Sequence, residues 1–167
     1  MSCFLAHNVA YYDAEILHRD ISMGNIMISK GGQGFLIDWD MCVHVGLGAK
    51  SSGRVERTMG SCSCSKGIWQ FMSVALLQND HHVHEILDDR ESVFYVLMWS
   101  ALRYTLHSHQ DDVGLQMKSY DEVDVHHDGG VEGGRLKGYM IQNSLKVIFH
   151  LPTLHKLIDE LCILFRE

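Results

Sequence analysis

Apolar and polar positions along the chain follow several distinct periods, and each predicts an element. Phe4, Leu5, Val9 and Tyr12 recur at helical spacing, with Ala6 and Ala10 beside them. That spacing predicts a short amphipathic helix over 4–12. Ile16-Leu17 is long enough only for a strand end. The runs Asn25-Ile26-Met27-Ile28 and Phe35-Leu36-Ile37 flank Ser29-Lys30-Gly31-Gly32-Gln33-Gly34. Strand-like runs around a glycine-rich turn predict a β-hairpin, because glycine takes positive φ without a Cβ clash. Residues 44–67 carry Gly, Ser and Cys with no apolar period, which is a long-loop pattern. Apolar character returns at Ile68-Trp69-Gln70-Phe71-Met72 and at Val74 to Leu77.

The strongest helix signal opens at Asp88-Asp89-Arg90-Glu91. Asp88 is suited to cap it, and Glu91 falls at the reciprocal position of a capping box. Val93, Phe94, Val96, Leu97, Met98, Trp99, Ala101 and Leu102 cover nearly its whole circumference, as in a buried central helix. Residues 108–134 are polar, acidic and glycine-rich, which predicts a flexible connection. A helix is expected around Met140 to Phe149. A last helix starts at Pro152, a favoured first-turn residue, with Leu154, Leu157, Ile158, Leu161 and Phe165 as its stripe. The predicted fold class is mainly α, with one small β-hairpin near the start.

Composition narrows the class. The 167 residues suit one domain with a sizeable core. With 46% apolar and 21% charged residues, the chain is globular rather than disordered. The net charge of −7 argues against nucleic-acid binding as the main task. Met1-Ser2-Cys3-Phe4 lacks the basic start and long apolar stretch of a secretory leader. The longest apolar run, Val93 to Trp99, is too short to span a bilayer. The expectation is an intracellular protein, in cytoplasm or nucleus, with no membrane partner. Its five scattered cysteines then suit free thiols. The twelve histidines are expected as polar surface residues.

The chemistry concentrates in His18-Arg19-Asp20-Ile21-Ser22-Met23-Gly24-Asn25 and in Leu36-Ile37-Asp38-Trp39-Asp40. Phosphoryl transfer needs a carboxylate near the attacking hydroxyl and oxygen ligands that hold Mg²⁺ against the phosphates. A loop carrying Asp20 and Asn25, then a hairpin returning Asp38, brings those groups to one place. His-Arg-Asp, four residues and Asn resembles the protein-kinase catalytic loop.

Further stretches resemble the fungal-type protein kinase family: Gly67-Ile68-Trp69-Gln70-Phe71-Met72-Ser73 leading to Leu76-Leu77, and Asp89-Arg90-Glu91-Ser92-Val93-Phe94-Tyr95-Val96-Leu97. The resemblance covers most of residues 7–104. It implies a kinase-like C-lobe over 1–167, acting with Mg-ATP on Ser or Thr of a protein substrate. Residues 68–77 would be the substrate-facing end of the activation segment. By position, Asp20 would be the catalytic base, and Asn25 and Asp38 would bind Mg²⁺. His18 and Arg19 would be structural, and Asp89 would hold the catalytic-loop backbone. Arg19 could also pair with an activation-loop phosphate.

The pattern departs from protein kinases at several points. Ser22 stands where they carry Lys, which weakens neutralisation of the transferred phosphate. Asp40 replaces the Gly of Asp-Phe-Gly and removes a permissive backbone position. Residues 59–66 read as an insertion. Seventeen residues before His18 cannot hold an N-lobe with its Gly-rich loop and strand Lys. The isolated chain is therefore expected to give no Mg-ATP-dependent thermal shift. A missing N-lobe or another chain is expected to cover the exposed lobe face. The alternatives are a non-catalytic C-lobe binding module, a truncated gene product, or a relative of aminoglycoside-type small-molecule phosphotransferases.

Overall fold

The computed structural model describes residues 2–45, 69–79, 81–118, 120–125, 131–142 and 147–166. The expected insertion at 59–66, and most of the expected loop at 44–67, lie outside the described residues.

Helix α1 (Ser2–Ala14) leads into β1 (Ile16–Leu17), which pairs antiparallel with β4 (Val43–His44). Between them lies the predicted hairpin, β2 (Ile26–Ile28) with β3 (Gly34–Leu36). Its register sets Ile26 against Leu36 and Met27 against Phe35. Gly32 takes φ 77° at the turn, and the Gly32 and Ser29 amides close it on the Ser29 and Gln33 carbonyls. Helix α1 packs against β1 and β3. Its facing reverses what the apolar spacing suggests. Leu5 is 62% exposed and Tyr12 63%, while His7 is fully buried. The inner side of α1 meets a buried carboxylate, so a hydrogen-bonding residue lies there and the apolar stripe faces outward.

Helix α2 (Val74–Gln78) follows a 3₁₀ turn at Trp69–Phe71. Helix α3 (Ile86–Tyr104) is the central helix that its circumference predicts. Phe94, Tyr95, Met98, Ala101 and Leu102 are buried in one cluster with Ile21, Leu36 and Phe71. That helix starts earlier than expected. Glu85 is the N-cap, and Asp88 occupies the N3 position of a capping box, accepting from the Glu85 amide at 2.7 Å. Asp88 also accepts from Ser73 Oγ, and Glu91 accepts from the Val74 amide at 2.9 Å. Both acids fasten α2 to α3, which is why neither sits at the cap.

Residues 108–134, expected as a flexible connection, carry α4 (Val113–Lys118) and a hairpin of β5 (Val123–Val125) with β6 (Val131–Gly133). The polar composition hid an anchor, because Tyr120 is buried in the core. Helix α5 covers Arg135–Gln142, so the helix expected at 140–149 lies further upstream. Val147 and Phe149 are each 2% exposed and Ile148 is 58% exposed. That alternation belongs to extended chain, and Phe149 bridges to His107. Helix α6 (Pro152–Leu164) opens with Pro152 and buries Ile158 and Cys162, while Leu157 faces outward. Among the described residues, no helix is long and apolar enough to cross a membrane.

Ser73 caps α2 through the Leu76 amide at 3.2 Å and also donates to Asp88. Ser73→Ala removes the cap and strips one donor from a buried carboxylate. Unfolding in urea should show a loss of about 2 kcal/mol. A change within about 0.5 kcal/mol, ordinary for a surface substitution, would contradict this role.

Candidate active site

The loop from residue 18 to 25 leaves β1 and enters β2. Leu17 and Ile21 sink into the interior at 1% and 4% exposure and His18 is buried with them, while Arg19 and Asp20 between these anchors stay part-exposed. A turn at Met23–Asn25 closes the loop, with the Asn25 amide on the Ser22 carbonyl at 3.2 Å. Ser22, the residue in place of Lys, serves as the entry to this turn.

Hydrogen bonds then form a closed ring. His18 Nε2 meets the Ile37 carbonyl at 3.1 Å. The Ile37 amide donates to the Asn25 carbonyl at 2.9 Å. Asn25 Nδ2 donates to the Asp20 carbonyl at 2.8 Å and to Asp20 Oδ2 at 2.9 Å. The Asp20 amide donates to His18 Nδ1 at 3.3 Å. Because Nδ1 accepts, Nε2 carries the proton, and the ring is neutral. Burial favours that form and lowers the His18 pKa, while the Ile37 hydrogen bond and the nearby carboxylates work against it. The ring ties Asp20 and Asn25 to Ile37, the residue before Asp38. It therefore brings together the residues expected to carry the chemistry.

Arg19 and Asp38 adopt φ of 70° and 63°. Left-handed backbone costs a non-glycine residue about 1–3 kcal/mol, so its surroundings must enforce it. At Asp38 the ring holds Ile37 on one side. On the other, Trp39 donates Nε1 to the Leu36 carbonyl at 3.1 Å and stacks edge-on against His18 at 4.5 Å. Asp40 is not among the residues with positive φ, so its backbone does not call on the freedom of the glycine it replaces.

At Arg19 the enforcing group is Asp89. Its carboxylate is buried and accepts from the His18 amide at 2.9 Å and the Arg19 amide at 3.0 Å. This is the position expected from the resemblance. Two further donors complete it: His7 Nε2 at 2.9 Å and His84 Nε2 at 2.8 Å. Burial alone would raise the carboxyl pKa. The hydrogen bonds and charge of His7 and His84 outweigh burial and hold it well below the usual carboxylate range. Neither histidine stood out as a site residue, and His7 departs from the expected surface role. His107 also departs from it, lying 2% exposed with Nε2 on the Leu102 carbonyl.

The donor set at the site suits a hard cation. Asn25 spends both Nδ2 hydrogens on Asp20, which leaves Oδ1 as an oxygen donor. Asp38 follows Ile37, a member of the ring, and its side chain is exposed. These oxygens fit Mg²⁺, which takes one or two carboxylate or carbonyl ligands and completes its shell with water and phosphate. Among the described residues, no group of three or more His, Cys, Asp or Glu could hold a metal, and Cys62 and Cys64 lie outside them.

Asp89→Asn keeps the shape but replaces a buried acceptor with a half-donor facing N–H groups. Urea unfolding should show a loss of about 3–5 kcal/mol at neutral pH. Because the folded pKa is depressed, this contribution is complete above the ordinary carboxylate pKa. It is lost as pH falls below about 4 and through the folded value, so the gap between variant and wild type should narrow on acidification. A gap independent of pH would refute the charge argument.

A family model described as fungal protein kinase matches residues 1–101. No curated protein and no solved structure gives a significant match. The matched span runs from α1 through nearly all of α3. It contains the hydrogen-bond ring, the left-handed residues Arg19 and Asp38, and Asp89 with its two histidines. With more than half of its length matched, and every residue of this site inside the match, the chain belongs to the fungal protein kinase family.

Proposed function

We propose that this chain is the C-lobe portion of a protein kinase-like phosphotransferase. It would transfer the γ-phosphoryl group of Mg-ATP to a Ser or Thr hydroxyl of a protein. The observation that carries this reading is the pair of hydrogen bonds from Asn25 Nδ2 to Asp20. They orient the Asp20 carboxylate and leave Asn25 Oδ1 and Asp38 for the cation.

In this reading Asp20 accepts a hydrogen bond from the attacking hydroxyl and takes its proton as the new O–P bond forms and ADP departs. Asn25 and Asp38 would hold Mg²⁺, which neutralises phosphate oxygens. His18, Arg19 and Asp89 set the backbone from which these groups project. The protein class of acceptor is supported by the segment Trp69 to Leu77, which lies inside the family match and which the resemblance reads as the substrate-facing stretch.

The hairpin beside Asp38 exposes Met27, Ile28, Phe35 and Ile37, with Met41 next to them. Ile28 is 74% exposed. Met27 and Phe35 lie opposite each other across the two strands, and an exposed apolar pair of this kind suits an interaction surface. We assign it to a nucleotide-binding lobe, in the same polypeptide or in another chain.

Two measurements test these statements. With Mn²⁺ alone at millimolar concentration, paramagnetic broadening in NMR spectra should centre on Asn25, Ile37 and Asp38. It should disappear in Asp38→Ala. Absence of broadening, or broadening indifferent to that substitution, would overturn the reading. For the apolar face, sedimentation velocity should show self-association at high concentration, reduced by Met27→Glu with Phe35→Glu. A wild-type chain that remains monomeric would argue against it.

A further inference from the structure

Lys137 lies on α5, outside the span matched by the family model, and the proposed chemistry does not use it. Surface lysines normally extend their ammonium into water. This one is 1% exposed. Its Nζ donates to the carbonyl oxygen of Trp69 at 2.7 Å and to that of Met72 at 3.1 Å. It also lies 4.7 Å from the centre of the Tyr95 ring. Burying an ammonium is costly, and only strong acceptors offset that cost.

Both carbonyls belong to the stretch that leads into α2. The other polar groups of that stretch are held from the same side. Gln70 Nε2 donates to Asp121 Oδ1 at 2.5 Å, Ser73 Oγ to Asp88, and the Val74 amide to Glu91. Phe71 is buried beneath it. Gly134 and Gly138 allow α5 to approach closely. A Cβ on Gly134 would lie 3.1 Å from Leu77 Cδ1, and its φ of 76° already disfavours a side chain. The segment is thus braced by α3, by the turn at 120–122 and by α5.

We propose that Lys137 is a positioning residue for the acceptor side of the site: it pins residues 69–73 in the orientation they present to the peptide carrying the hydroxyl. This rests on the reading of residues 69–77 as acceptor-facing. The physical brace itself is independent of nucleotide.

The charged and titratable groups facing Lys137 are Glu91 and Tyr95 from α3 and Asp121 and Glu122 from the turn before β5. The α2 sequence Val74-Ala75-Leu76-Leu77-Gln78 adds no charge. Burial lowers the Lys137 pKa to about 7, although Glu91, Asp121 and Glu122 pull it upward. When the segment opens, Lys137 meets water and returns to an ordinary value. Between about pH 7 and about pH 10 the open state then binds more protons, so opening becomes harder as pH rises. Glu91, raised mainly by burial, contributes in the opposite sense over its own range.

The test is hydrogen exchange of the full chain without nucleotide, corrected for intrinsic rates, from about pH 7 to about pH 9. Peptides covering 69–79 are compared with peptides covering 94–102. In wild type, protection of 69–79 should rise by up to about tenfold per pH unit. In Lys137→Met the rise should vanish, and protection at the upper end should fall by about tenfold or more. The 94–102 peptides should keep their protection. Lys137→Gln retains N–H donors without a titrating group, so it should recover protection with a flat profile. It also keeps the test decisive should the Met variant fail to fold. Glu91→Gln should leave the rise in place. A rise that persists in both Lys137 variants, no rise in wild type, or equal loss across 69–79 and 94–102 would overturn the proposal. Failure of the Mn²⁺ experiment with this result intact would instead fault the phosphotransfer reading and leave the brace standing.

Discussion

A single buried carboxylate organises this molecule. Asp89 sits at the start of the central helix and has no access to water. A buried charge persists only when every lone pair meets a donor. Asp89 finds its donors in the His18 and Arg19 amides and in the His7 and His84 imidazoles. Those donors come from α1, from the loop after β1 and from the turn before α3. One polar contact therefore closes three parts of the chain around the N-terminal end of α3. It also compels the left-handed backbone at Arg19, from which Asp20 projects.

The hydrogen-bond ring carries that order outward. His18 connects the Asp89 hub to Ile37, and Ile37 connects to Asn25. Strain at Asp38 is held between this ring and the Trp39 indole. The segment at 69–74 is built on a different principle. There the apolar plug Phe71 sits beneath a segment whose polar groups are satisfied by Lys137, Glu91, Asp88 and Asp121. The loop at 18–25 and the segment at 69–74 thus both hang on one sequence run, Asp88 to Glu91. Asp89 holds the first, while Asp88 and Glu91 hold the second. A disturbance in this first turn of α3 reaches both sides of the site.

The hairpin was legible because its strands alternate around glycines, and α3 because its apolar residues encircle it. Asp20, Asn25 and Asp38 were singled out by their spacing, and the structure joins Asp20 and Asn25 by hydrogen bonds. The direction in which α1 faces was not. Phe4, Leu5, Val9 and Tyr12 form a stripe, yet the interior needed a donor for Asp89, and His7 lies on the inner side. The region 108–134 was also hidden, since its local polarity says nothing about one buried Tyr120. The start of α3 shifted because Asp88 and Glu91, good cap residues by local rules, bond to α2.

The sequence by itself determined the family and most of the periodic elements, and it named the candidate site residues. These follow from local spacing and from residue types that particular chemistry requires. Tertiary structure alone decided which polar groups are buried and what satisfies them. His7 and His84 on Asp89, and Lys137 on the Trp69 and Met72 carbonyls, are pairings between residues distant along the chain. The cost of leaving a charge unpaired away from water selects them, and that cost exists only once the fold has excluded the water.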